Sequence, residues 1–104
     1  MERPRITTID GKEHEMIALN GRAYRIASEF DNNQPQFTDP DFLERHAAIT
    51  AEFYDGVTKE DILDLPIEEI LPASIAARRA VFQLALLKTA TISKNSDGGK
   101  AQEL

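Results

Sequence analysis

The chain has no cysteine and no tryptophan, and aromatic residues make up only 7% of its 104 residues. Without cysteine, the protein has neither disulfides nor thiolate chemistry. With so few aromatic side chains, we expect a core of isoleucine, leucine, valine and alanine. Hydrophobic residues account for 41% of the sequence, which is typical of a folded chain with one modest core. Domains with such small cores often gain stability by association.

Basic residues are in the minority: 12 lysines and arginines stand against 18 aspartates and glutamates, which gives a formal net charge of −6. An acidic chain repels the phosphate backbone, so we expect no nucleic-acid partner. Long apolar runs are missing too, since no stretch approaches the roughly 18 apolar residues of a membrane span. The N-terminal residues contain no apolar signal region. We therefore expect a cytoplasmic protein that does not enter a membrane.

Motifs of catalysis and of metal binding are also missing from the sequence. The two histidines, His14 and His46, fall in different predicted elements, and neither has a partner at metal-ligand spacing. We expect His46 to lie at the surface or at the boundary of the core. Asp41, Glu60 and Asp61 stand at predicted helix starts, where acids compensate the helix dipole. Nothing resembles a nucleophile elbow or a phosphate-binding loop, so the sequence predicts no enzyme, no cofactor and no metal site.

Alternating apolar and polar residues occupy the first quarter of the chain. Two turn signals, Asp10-Gly11 and Asn20-Gly21, separate three short segments with this alternation. Asn-Gly is the strongest two-residue hairpin signal, because both residues accept positive φ angles. The pattern predicts a three-stranded antiparallel β-meander over about residues 5–26, with its second strand at 14–19 and its third at 22–26. The polar residues that follow, 31–36, predict a loop.

Helical signals fill the rest of the chain. Apolar residues at helical spacing predict a helix over about residues 40–54, which begins at Pro40. Thr58 begins a near capping box, and a short helix is expected from there to about residue 63. Pro66 and Pro72 each predict a new helix start, so the chain up to Pro72 should be a series of short turns.

A last helix is predicted over about residues 73–91. Several residues lie along one side of it: Ile75, Ala76, Arg79, Phe82, Leu86 and Leu87. The sequence thus predicts an α+β fold in one domain, residues 1–92, in which the meander packs with about three to four helices over residues 40–91. Residues 93–104 lack periodicity and predict a flexible polar tail.

Charge is distributed unevenly between two neighbouring segments. Residues 52–69 contain seven acids and one base, whereas residues 70–96 contain four bases and no acid. Either the last helix lies against the acidic segment of its own chain, or the acidic side of one subunit meets the basic helix of the next. The last helix is also apolar on more than one side. It is therefore either central to the core or equipped with a second face for a partner.

One segment, FYDGVTKEDILDLP at residues 53–66, resembles the tail assembly chaperones of long-tailed phages of Gram-positive bacteria. Those proteins carry an aromatic helix end, a glycine, a hydrophobic-threonine step and an acidic turn in this order. The start IDGKE at residues 9–13 is similar to the first hairpin of that family, and the likeness in layout covers residues 6–87. In the family, a helix follows the hairpin sooner than the predicted connection from Ile26 to Pro40 allows.

The resemblance implies a non-catalytic function in the cytoplasm of a bacterial host. Tail assembly chaperones bind and solubilise the long helical tape measure protein, help to recruit tail tube protein, and are absent from the mature virion. Self-association is expected from the small core and from the charge contrast. The candidates for the face that binds the client or another copy are Ile75, Arg78, Arg79, Phe82 and Leu86. The candidates for contacts with a neighbouring subunit are Phe53, Tyr54, Ile62 and Leu63.

Other classes of function stay open at this point. Another phage morphogenesis protein, such as a head–tail connector or a tail-completion subunit, would form rings and stay in the finished particle. A small regulatory protein of the antitoxin kind would need a wrapping arm or a basic surface, and the acidic charge argues against DNA contact. An enzyme would need a buried carboxylate cluster in a pocket.

Overall fold

A short antiparallel hairpin opens the structure. The computed structural model describes the backbone of residues 3–96 and the side chains of residues 3–87. Strand β1, Ile6–Thr7, pairs with strand β2, Glu13–His14. Gly11 lies in the connecting loop, residues 8–12, with a φ of 86°, a left-handed conformation that glycine adopts without strain. The first predicted hairpin is confirmed, with a longer loop than a two-residue turn.

Strand β2 is shorter than the strand predicted for residues 14–19. Beyond β2 the chain leaves the hairpin and pairs with residues from the middle of the sequence. Met16 forms an isolated bridge with Tyr54, and the Ile17 N–H donates to the Phe53 carbonyl at 2.9 Å. The Met16 side chain is buried. The apolar residue of this segment therefore packs against residues outside the hairpin.

A helix follows where a third strand was predicted over residues 22–26. Helix α1 spans Gly21–Asn32, and the Asn20 side-chain oxygen caps it by accepting a hydrogen bond from the Ala23 N–H at 3.1 Å. The three-stranded meander is therefore wrong. Asparagine caps helices as well as it forms turns, and a five-residue alternation is too short to separate strand from helix. The inner side of α1 consists of Ala23, Ile26, Ala27 and Phe30.

The next two helices lie where the sequence predicts them. Helix α2 spans Phe42–Glu52, within the predicted range 40–54. Helix α3 spans Lys59–Leu63, and both hydrogen bonds of its capping box are present. Thr58 accepts from the Asp61 N–H at 3.1 Å, and Asp61 accepts from the Thr58 N–H at 3.0 Å. The box satisfies two of the free N–H groups that begin a helix.

Helix α4 spans Ile67–Ser96 and continues through Pro72. The predicted break at Pro72 is wrong, whereas the helix start predicted at Pro66 is confirmed, because α4 begins at the next residue. The short turns thus end at Pro66 instead of continuing to Pro72. Pro72 lies near the helix start, where its missing N–H leaves the Glu68 carbonyl without an intrahelical donor. Both residues are exposed, so water can donate a hydrogen bond to the Glu68 carbonyl instead. Residues 93–96 of the predicted tail belong to α4, and residues 97–104 lie outside the described part of the chain.

Helix α2 packs against both α3 and α4, while α1 packs mainly against α4. The core is largely aliphatic, as the composition predicts, and Phe53 is almost fully buried in it. Helix α4 contributes Ile70, Ala77, Ala80 and Val81. The described residues form an α+β fold with four helices and one two-stranded antiparallel sheet.

One segment of α4, Ile67–Leu87, is long and apolar enough to cross a membrane by length and composition, with a mean hydropathy of 1.4 in its most apolar window. The core helix of a globular protein meets the same criterion. Here the segment contains Glu68, Arg78 and Arg79, and it packs against α1 and α2. Core packing buries 33% of that window. The expectation that the chain does not enter a membrane stays a prediction.

Substitution of two glycines tests whether a helix follows the hairpin. We expect Gly21→Ala to raise the free energy of unfolding by about 0.4–1 kcal/mol, because its φ is not positive and a Cβ would meet no atom within 4 Å. Gly56→Ala is the matched comparison: its φ of 75° should make the same change cost about 1–2 kcal/mol. Urea unfolding measures both. A loss at Gly21 as large as that at Gly56 would indicate a turn instead of a helix.

Candidate functional site

The outward side of α4 carries an exposed apolar stripe. Ala77 and Val81 lie on the core side of the helix and are at most 3% exposed. Residues on the opposite side face solvent because a helix turns by about 100° per residue. In contrast to the core side, Ile75 is 44% exposed and Leu86 is 58% exposed. The α4 face, as we name it, consists of Ile75, Arg79, Phe82 and Leu86.

A groove lies between the α4 face and the C-terminal end of α1. Asp31 and Gln34 line it on the α1 side. Next to it, the Phe82 ring meets the Tyr24 ring edge-on, with centroids 5.5 Å apart. Tyr24 is 46% exposed, so this ring pair is part of the surface. A second apolar depression next to the pair is lined by Leu19, Asn20, Gly21, Tyr24, Val81, Leu84 and Ala85.

Arginines border the other side of α4. Arg3, Arg5 and Arg79 line a groove between the N-terminal segment and the helix. Arg5 forms exposed ion pairs with Glu13 and Glu15 at 3.7 and 3.6 Å. Among the described side chains, Arg3 and Arg79 have no acidic partner. The α4 face therefore has an apolar groove on one side and unpaired positive charge on the other.

The acidic segment, residues 52–69, is not neutralised by α4. None of its seven acids forms an ion pair within the described residues. An exposed apolar residue lies among them, since Ile67 is 70% exposed. We name Asp64, Ile67 and Glu68 the acidic end. Pairing between α4 and the acidic segment of the same chain thus finds no support in the described side chains.

Several predicted contact residues lie in the core instead of at the surface. Phe53, Tyr54 and Ile62 are at most 4% exposed, and Leu63 is partly buried against them. Arg78 is only 6% exposed. Core packing accounts for these positions, although Arg78 also lines the groove beside the α4 face. An aromatic helix end gives the same sequence pattern whether its rings point inward or outward, so the pattern did not separate the two cases.

Arg78 belongs to a buried polar network that joins three helices. Its guanidinium pairs with Asp31 of α1 and donates to the hydroxyl and the carbonyl oxygen of Ser74, both at 3.2 Å. The Ser74 hydroxyl also contacts His46 Nδ1 of α2 at 2.9 Å. The guanidinium carbon lies 4.8 Å from the centroid of the Phe30 ring, a cation–π contact. Every buried side-chain nitrogen and oxygen among the described residues has a partner.

His46 was expected at the surface or at the core boundary, and that expectation is wrong. It is 2% exposed, and the rings of Phe30 and Phe42 meet it edge-on with centroids 5.0 and 4.7 Å away. Burial lowers the pKa of His46 below its usual value of 6.5, and the positive charges of Arg78 and Arg45 lower it further. Both effects favour the neutral form of the imidazole.

The network has the residue types of a nucleophile and a base, but it is closed to a substrate. Ser74 is 1% exposed, and His46 is buried beside it. Burial also raises the pKa of Tyr54 to about 12, and its hydroxyl donates to the Pro4 carbonyl at 3.3 Å. No group of three His, Asp or Glu side chains able to hold a metal ion occurs in the described part of the chain. The α4 face has the features of a binding surface.

Comparison with known protein families, with curated proteins and with solved structures finds no match to this chain.

The polar network predicts a measurable loss of stability. Ser74→Ala removes the hydroxyl that contacts both Arg78 and His46, and we expect the free energy of unfolding to fall by about 1–3 kcal/mol. Ser28→Ala is the control, because Ser28 is only partly buried on α1. Chemical denaturation compares the two variants. Equal small losses in both would show that the network contributes nothing specific.

The lowered pKa of His46 predicts an acid-dependent loss of stability. The unfolded chain takes up a proton near pH 6.5, while the folded chain resists protonation until a lower pH. The contribution of His46 to the free energy of unfolding is therefore complete above pH 6.5. It is lost as the pH falls through the pKa of His46 in the folded chain. Arg78 and Arg45 oppose the added charge, and the Asp31 carboxylate is paired with Arg78. NMR titration should place the His46 midpoint below 6.5, with His14→Gln used for assignment, and a midpoint at or above 6.5 contradicts the expectation.

Proposed function

We propose that the protein is a non-catalytic protein-binding module whose α4 face takes an apolar helical segment of a partner. The exposure of Ile75 and Leu86 on one side of a helix, with the partly buried Phe82 between them, carries this proposal, because the opposite side of that helix already fills the core. Their spacing is that of i, i+7 and i+11 anchors, which suits packing against another helix.

The surroundings of the stripe support reversible binding. Tyr24 and Phe82 form an aromatic pair at the surface, and Arg79 is exposed beside them. Aromatic residues and arginine dominate the energetics of protein interfaces. A small apolar centre with a charged rim is typical of complexes that form and dissociate. These features favour a partner that is held for a limited time.

Within this class, we propose a tail assembly chaperone of long-tailed phages that acts in the bacterial cytoplasm and is absent from the virion. The tape measure protein would be the helical client, and tail tube protein would be recruited later. Support comes from the resemblance at residues 53–66 and 9–13. The layout adds to it, because α1 begins at Gly21 and a helix follows the hairpin as early as the resemblance implies. Many weakly bound copies along one long client would retain it through effective concentration.

Co-expression with a long helical tape measure protein tests this function. The wild-type chain should keep that protein soluble and elute with it in many copies. Leu86→Asp should weaken binding by about tenfold or more, since it places a charge in the apolar stripe. Ile9→Asp is the matched control, because Ile9 is 72% exposed on the hairpin, outside the α4 face.

Two outcomes would overturn the chaperone proposal. One is aggregation of the long protein to the same extent with and without this chain. The other is recovery of the chain from purified virions, which would favour a head–tail connector or a tail-completion subunit. Equal binding by Leu86→Asp and wild type would remove the α4 face as the site.

A further inference from the structure

Two separate surfaces of the molecule are complementary to one another. The acidic end presents Ile67, 70% exposed, between the carboxylates of Asp64 and Glu68. The α4 face presents apolar side chains beside Arg79, and Arg3 lies in the adjoining groove. Neither set of charges is paired within the described part of the chain. One surface thus offers an apolar residue with negative charge. The other offers an apolar groove beside the positive charges of Arg79 and Arg3, and the Asp31 carboxylate in that groove is already paired with Arg78.

We propose that the α4 face binds the acidic end of a second copy of this chain, so that copies associate head to tail. This inference rests on the α4 face of the proposed function and names an occupant for it. Ile67 packs into the groove lined by Ile75, Phe82 and Leu86. Asp64 and Glu68 then lie near Arg79 and Arg3, which offsets charges that the single chain leaves unpaired.

The spacing of the two surfaces determines the kind of assembly. Fifteen residues separate Ile67 from Phe82 along α4, which is about 22 Å of helix. Each copy therefore uses one surface as donor and a different one as acceptor. Such a heterologous contact forms a ring if the rotation between copies closes, and an open filament if it does not. A symmetric pairing of two α4 faces is disfavoured, because it would bring Arg79 close to the same arginine of the second copy.

Charge makes the contact sensitive to salt. The carboxylates and guanidinium groups are exposed, so screening over about 8–10 Å weakens their attraction at ordinary ionic strength. We expect the average mass in solution to rise with protein concentration above the 11.6 kDa of one chain. The rise should become smaller as sodium chloride is added. The apolar part of the contact should persist at high salt as weak residual association.

A mixing experiment with two blocked variants is the decisive test. Arg79→Glu with Leu86→Asp blocks the α4 face, and Ile67→Lys with Glu68→Gln blocks the acidic end. Sedimentation equilibrium should show each variant alone as a monomer. An equimolar mixture should form a one-to-one pair of about twice the monomer mass, because one intact face then meets one intact end. Only a head-to-tail contact predicts this restoration.

The control variant carries the same types of change at other positions. Arg25→Glu with Ile9→Asp alters an exposed arginine of α1 and an exposed isoleucine of the hairpin. It should associate like the wild type. Circular dichroism melting curves establish that all three variants are folded.

Each outcome decides the proposal. A wild-type chain that stays monomeric at every concentration overturns it, and so does a mixture of blocked variants that stays monomeric. Association of either blocked variant alone, to the wild-type extent, also overturns it. Client binding distinguishes this proposal from the proposed function: the variant blocked at the acidic end keeps its α4 face and should still bind the client. Loss of self-association with retained client binding would leave the proposed function intact.

Discussion

The burial of one guanidinium determines how the three longer helices are arranged. Removing a charge from water costs several kcal/mol even after relaxation, so Arg78 must be matched wherever it is buried. Asp31 supplies the opposite charge, the Phe30 ring supplies a π face, and both belong to α1. Ser74 accepts from the same guanidinium and contacts His46 of α2. Satisfying Arg78 therefore fixes the rotation of α4 about its own axis relative to both neighbouring helices.

That rotation explains why one apolar side of α4 stays partly uncovered, with Phe82 against the Tyr24 ring and with Ile75 and Leu86 exposed. Adjacent residues on a helix are about 100° apart, so inward placement of Arg78 directs Arg79 outward. Ile75, Phe82 and Leu86 follow on the same outward side. A helix that served the core alone could carry polar residues there at no cost in packing. Packing within the chain therefore does not account for the exposure of Ile75 and Leu86, and this exposure supports the proposed binding role.

The sequence predicted local signals well and long-range packing poorly. The capping box at Thr58 was recognisable because its two hydrogen bonds lie within one helical turn. Asn20 was ambiguous, since the residue suits both a turn and a helix cap. Pro72 was misleading because a proline near a helix start costs only a bond to an exposed carbonyl.

His46 had one local signal, its position one turn from Phe42 and Thr50, but its partners Ser74 and Arg78 lie about thirty residues away and follow only from the packing. Of the predicted binding residues on α4, Ile75, Arg79 and Leu86 are exposed and Phe82 is partly buried. Four others are in the core: Phe53, Tyr54, Ile62 and Arg78.

The two proposed occupants of the α4 face exclude each other, because both need the groove beside Phe82. If copies associate head to tail, every contact covers one face, and a client binds only to faces that are free. A ligand that binds the free form draws the equilibrium toward it by mass action. A long client with many binding segments has the advantage, since each bound copy raises the effective concentration of the next segment. Self-association would then hold the apolar stripe away from water and from other proteins until such a client is present.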